Sequence, residues 1–141
     1  MERPTTVVVD SGPLYAAIDR HDPQHERCLD VLTQRSRQLK VPVLTVAEVT
    51  HFIGTRLHTG AELRLLAEIT LGNLVVEPVH ARDWVRIAEL VEHYADLPLG
   101  TVDASVVATA ERLGATTIAT LDRGHFSVVR PRHVEAFELV P

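Results

Sequence analysis

The chain has 141 residues and a formal net charge of −5, with 45% hydrophobic and 23% charged residues. This balance predicts one domain over residues 1–141 with a core of its own, and it excludes a disordered chain. No apolar run reaches the roughly 18 residues a membrane span needs, and the lone Cys28 cannot form an internal disulfide, so a cytoplasmic protein without a leader is expected.

In chain order the pattern alternates strands and helices. Thr5 to Val9 is a β-branched run too short for a helix, and it predicts a buried strand. Leu14 to Ile18 begins a short helix with Pro13 near its first turn, and His25 to Arg35 carries Cys28, Leu29, Val31 and Leu32 at helical spacing. Leu39 to Leu44 reads as a second strand, tolerating Pro42 only where its missing donor is not needed. Thr45 opens a third helix running to Leu57, and Ala61 to Leu71 forms a fourth with Leu63, Leu66, Ala67 and Leu71 on one face.

Leu74 to Val79 is a third strand. Asp83 to Tyr94 is a patterned helix with Trp84, Ile87, Ala88 and Val91 facing inward. Thr101 to Leu113 is a helix closed by Gly114, Thr116 to Leu121 a strand, and Ala136 to Val140 a last short strand. Buried strands separated by helices predict an α/β fold with a mostly parallel central sheet covered on both faces. In such sheets ligands bind beyond the carboxyl ends of the strands.

Four acids fall at those junctions. Asp10 follows the first strand, Glu48 opens the helix after the second, Asp103 sits in the first turn of the helix from Thr101, and Asp122 follows the fourth strand. Each also has a plain structural role: Asp10 and Asp122 as turn or cap residues, Thr45-x-x-Glu48 as a capping box, and Asp103 beside a helix dipole. Their coincidence at strand-to-helix junctions is what points to chemistry. Crowded carboxylates must take up protons or bind cations. Oxygen ligands favour hard ions, Mg2+ or Mn2+, which can activate water and stabilise an oxygen leaving phosphorus. No G-x-G-x-x-G, P-loop, G-x-S-x-G elbow or zinc-type spacing is present. No basic stripe marks a general nucleic-acid binder, and no run of aromatics interleaved with basic residues marks a stacking platform.

The segments Val-Val-Val-Asp10-Ser-Gly, Thr45-Val-Ala-Glu48-Val, Tyr94-Ala-Asp96-Leu-Pro-Leu-Gly-Thr-Val-Asp103-Ala and Ile118-Ala-Thr-Leu-Asp122-Arg-Gly-His-Phe126 resemble, in order and spacing, those of PIN-domain proteins. The narrower resemblance is to VapC-type toxin ribonucleases of toxin–antitoxin pairs. It implies a three-layer α/β/α sandwich and a Mg2+- or Mn2+-dependent endoribonuclease that hydrolyses RNA with metal-activated water. Asp10 and Asp103 would be the chief metal ligands, Glu48 would orient the water or complete the shell, and Asp122 would be the fourth acid. Asp96, Ser11 and Thr120 would support that shell. Arg123 and His125 are candidate RNA contacts, with Arg20 and Arg56 as further ones.

The resemblance also implies a VapB-like antitoxin, a homodimer, and a structured RNA substrate such as a tRNA or an rRNA loop. The faces near Leu14, Ile18, Leu29 and Leu32, and near Phe52, Ile53 and Leu57, are candidates for the antitoxin groove. Two other readings stand beside this one: a PIN nuclease of RNA processing without an antitoxin, and a PIN-like binding module without chemistry.

Overall fold

A computed structural model describes residues 3–141, so the expectation of no leader at Met1 and Glu2 lies outside the described residues. The strands are β1 (Thr5–Val9), β2 (Arg37–Pro42), β3 (Val75–Glu77), β4 (Thr117–Ala119) and β5 (Glu138–Val140). The helices are α1 (Ser11–Ile18), α2 (His25–Leu32), α3 (Val43–Arg56), α4 (Thr59–Thr70), α5 (Ala81–His93), α6 (Thr101–Leu113) and α7 (Arg123–Phe126). The strands form one sheet in the order β3-β2-β1-β4-β5, and every described pairing is parallel.

β1 lies at the centre because it is apolar on both faces. Val8 points into one core with Ile87, Leu90, Val106, Val107 and Ile118. Val7 and Val9 point into the other, with Leu14, Val49, Ile53 and Leu65. The period-two alternation of a strand thus builds the two interfaces of an α/β/α sandwich from three consecutive valines. Each such side chain contributes about 1.5–3 kcal/mol by leaving water. At the edge of the first interface, Arg112 on α6 bonds Asp83 at 3.0 Å and Glu77 at 3.2 Å, tying α5 and β3 to α6.

Three local expectations are corrected. The third helix begins at Val43, so Thr45 is an interior, fully buried residue and the Thr45–Glu48 capping box does not form. Pro42 ends β2 beyond its pairing with β1 and serves as the N-cap position of α3, where a missing N–H costs nothing. On α5 the inward stripe is Asp83, Ile87 and Leu90, while Ala88 is exposed and Trp84 is 49% exposed. The ion pair of Asp83 with Arg112 turns the stripe by one position, which hydrophobicity alone does not signal. On α4 the buried residues are Ala61 and Leu65, and Leu63, Leu66 and Leu71 face outward. That helix carries apolar residues on two faces, and only the sheet decides which one is covered.

α6 ends as predicted, at Gly114 with φ 68. A left-handed C-terminal cap is cheap for glycine and strained for residues with a Cβ. No atom stands within 4 Å of where that Cβ would be, so the cost of Gly114→Ala is backbone strain alone. The variant is expected to lose about 1 kcal/mol, read as a lower urea midpoint with an unchanged m-value.

Candidate active site

Because the strands are parallel, their carboxyl ends share one edge, and helices that follow or precede them begin there. Asp10 leaves β1, Glu48 sits in the second turn of α3 just past β2, Asp103 lies in the first turn of α6, and Asp122 follows β4. All four line a single cleft of about 400 Å3, together with Ser11, Gly12 and Leu121.

The hydrogen bonds show which plain roles the acids fill. Asp10 occupies the N-cap position of α1, yet its side chain makes no capping bond there. Its carboxylate instead accepts from the Thr120 hydroxyl at 2.9 Å. That hydroxyl also accepts from the Asp122 amide at 2.9 Å, so one threonine joins the two strand ends. The Ser11 hydroxyl donates to Glu48 across the cleft. Asp122 does cap its helix, accepting from the His125 amide at 3.0 Å, and its other oxygen takes the His125 ring nitrogen Nδ1.

The electrostatics follow from crowding. Asp10 is 6% exposed, and burial raises its pKa from 3.8 to about 6, with Asp103 and Glu48 pushing the same way against the Ser11 amide and Thr120. Burial also raises Asp103; Asp122 and Glu48 add to it, while His125 and the Gly100 amide oppose. His125 is raised chiefly by its bond to Asp122, with Asp103 adding attraction. Like charges and desolvation thus hold this cleft in a state that a cation would relieve.

His125 is the residue that the sequence reading placed differently. Its ring lies among the acids, with Nδ1 3.9 Å from Asp103, and ligating atoms of Asp103, Asp122 and His125 lie within 4.8 Å of one another. The Asp122-x-x-His125 spacing on one helical turn was its sequence signal. The other candidates are dispersed. Arg123 turns its guanidinium to the carbonyls of Leu139 and Pro141, pinning the last strand. Asp96 is exposed in the turn before α6 and is not among the residues lining the cleft. Arg20 lies on the opposite end of α1, at the rim of an apolar groove of about 450 Å3 that includes Leu14, Ile18, Leu29 and Leu32. Of the second apolar group, Ile53 is fully buried in the core.

Such an acidic cleft at the carboxyl edge of a parallel sheet can be compared with known proteins. The PIN domain family model matches residues 7–130. The chain belongs to the PIN-domain family. Ribonuclease VapC26 of Mycobacterium tuberculosis is 32% identical to this PIN domain over 135 residues, 96% of this chain and 100% of that protein, which places it among the VapC-type members. The crystal structure of Mycobacterium tuberculosis VapC20, described as a sarcin-ricin loop cleaving toxin, superposes with a TM-score of 0.79 at 20% identity, covering 92% of this chain and 98% of that one. VapBC2 from Rickettsia felis, solved bound to a DNA fragment from its promoter, superposes with a TM-score of 0.67 at 17% identity, covering 96% and 97%. Both structures share the fold of this PIN domain.

The raised Asp10 pKa has a sign that can be tested. Between the unfolded value of 3.8 and the folded value of about 6, the native protein holds a proton the unfolded chain has lost. Stability contributed by this proton is full below the lower value and is lost as pH rises through the higher one. Asp10→Asn removes the loss: without divalent ions the variant is expected to be more stable than the parent at about pH 8, by on the order of 2 kcal/mol, and no more stable below about pH 4. Calorimetric melting across that range checks it.

Proposed function

We propose that this PIN domain, acting as one unit over residues 1–141, is the endoribonuclease toxin of a toxin–antitoxin pair. The observation that carries the reading is the convergence of Asp10, Glu48, Asp103 and Asp122 on one cleft, with Asp10 protonated more readily than a free carboxylate. The name of VapC26 supports ribonuclease chemistry in a protein alike over nearly the whole chain.

The donors fit a hard divalent cation, Mg2+ or Mn2+, since buried carboxylates with raised pKa values lose their repulsion when it binds. Asp10 and Asp103 would be its chief ligands, with Glu48 and Asp122 completing the set. When bound, such an ion supplies positive charge to the phosphodiester oxygens and makes a nearby water more acidic. The chain's own groups set the rest. Thr120 fixes the Asp10 carboxylate, and Ser11 fixes one oxygen of Glu48, leaving the other to orient an attacking water. His125 holds a proton at Nδ1 beside Asp122 and Asp103, offsetting negative charge where a phosphate must approach. A structured RNA, a tRNA or an rRNA loop, is the expected substrate, recognised by its shape.

Incubation of total RNA with the parent and Asp103→Asn, in EDTA, Mg2+ or Mn2+, tests this. Discrete fragments should require metal and should fall about a thousandfold in the variant. Equal cutting by both proteins removes the site assignment.

For the antitoxin we propose the groove between α1, α2 and α4, where Leu29 is 39% exposed beside Leu14, Ile18 and Leu32. An apolar helix of the partner would bury these side chains. We also propose self-association, for which the exposed Trp84 and Val85 of α5 give an apolar face. Leu29→Glu should still fold and cut RNA, yet lose co-purification with any small antitoxin co-expressed from an adjacent reading frame. Retained co-purification would move the antitoxin elsewhere.

A further inference from the structure

α1 and α3 meet along a seam that starts in the acidic cleft. At the cleft end the Ser11 hydroxyl donates to Glu48. One turn further along each helix stand Tyr15 and Phe52, at i+4 from Ser11 and Glu48. Another turn along α3 stands Arg56, at i+8, and residues with these spacings share one helix face. The Arg56 guanidinium carbon lies 4.6 Å from the centroid of the Phe52 ring and 5.4 Å from that of Tyr15. The His51 ring adjoins Phe52, with centroids 6.0 Å apart. An aromatic and cationic cluster therefore lies beside the cleft, although no run of such residues exists in the sequence.

Its charge is not matched by a carboxylate among the described residues. Among the described residues Arg56 has no carboxylate within ion-pair distance, whereas Arg86, Arg112 and Arg132 each do. Asp19, the acid at the end of α1, accepts from the Tyr15 hydroxyl at 2.8 Å and not from Arg56. The two rings, with the Tyr15 hydroxyl beside it, hold the planar guanidinium, so its remaining N–H groups are presented at little entropic cost. Arg56 itself is exposed, and Tyr15 and Phe52 are half-buried. From Glu48 to Arg56 the helix rises about 12 Å, the span of a few nucleotides.

We propose that Tyr15, Phe52 and Arg56 form a subsite for single-stranded RNA flanking the cleaved bond, with Arg56 on a phosphate and the rings against a base. A planar cation on ring faces, free of any carboxylate and in line with the acids, matches a strand of phosphates and bases better than it matches an apolar protein helix. The inference rests on the nuclease reading for the position of the cleaved bond, but the binding itself can be measured without cleavage.

The test uses the full chain carrying Asp103→Asn, in EDTA, with a short fluorescein-labelled RNA of mixed sequence read by anisotropy. Adding Arg56→Ala should weaken binding about tenfold and reduce the salt slope by about one. Arg56→Lys should keep the slope and still bind weakly, since an ammonium lacks the planar stack. Phe52→Leu, a smaller change to packing, should weaken binding with the salt slope unchanged. In the cutting protein the Arg56 change should fall on KM rather than kcat. Equal RNA affinity in all four proteins, with melting temperatures matched, overturns the subsite. So does unchanged RNA affinity together with weakened capture of a co-expressed antitoxin, which would assign the cluster to that partner. Arg56-dependent binding without cleavage by any parent preparation removes the nuclease reading and keeps the subsite.

Discussion

A buried hydrogen bond of 2.9 Å, from the Thr120 hydroxyl to the Asp10 carboxylate, joins the ends of two central strands. It exists because β1 and β4 pair in parallel with Val9 opposite Ala119, so that the residues leaving each strand emerge side by side. The same register brings the Asp10 amide to the Ala119 carbonyl at 2.9 Å. A slip of one residue would send Asp10 to the other face of the sheet and separate it from Thr120. Glu48 and Asp103 depend on this edge too, since their helices begin beside it.

The cleft illustrates a conflict between stability and chemistry. Asp10 and Asp103 are desolvated among like charges, and each is pushed toward its neutral form. Few local contacts compensate: a threonine, a histidine and two backbone amides. The compensation comes from the two apolar cores, which need nothing from the acids and hold the strand ends rigid. A cation bound among these acids would offset that electrostatic cost.

The parallel packing of α1 on α3 extends that geometry outward. Ser11 and Tyr15 on one helix face Glu48, Phe52 and Arg56 on the other, each set at four-residue steps. The side chain that orients Glu48 and the rings that hold Arg56 thus belong to one seam. The apolar groove lies on the other flank of α1, toward α2 and α4. One short helix therefore separates the surface assigned to RNA from the surface assigned to a partner protein.

The sequence alone determined the five strands, the burial of β1, the glycine cap of α6 and the four acids at junctions. Those signals are local: β-branched runs, turn residues and carboxylates beside them follow from the chemistry of a few adjacent residues. The expectation of a hard cation followed from the crowding of those carboxylates, and the expectation of RNA from resemblance. Tertiary structure alone decided that Trp84 is exposed while Asp83 is buried, because the Arg112 that pairs with Asp83 comes from another helix. It decided that Leu63, Leu66 and Leu71 face outward, since α4 is apolar on two sides. It moved His125 into the acidic cluster, turned Arg123 to the C-terminal strand, and set Arg56 over Tyr15 and Phe52. Each of these depends on groups distant in the chain, and a pattern that repeats within one helix carries no information about what lies across from it.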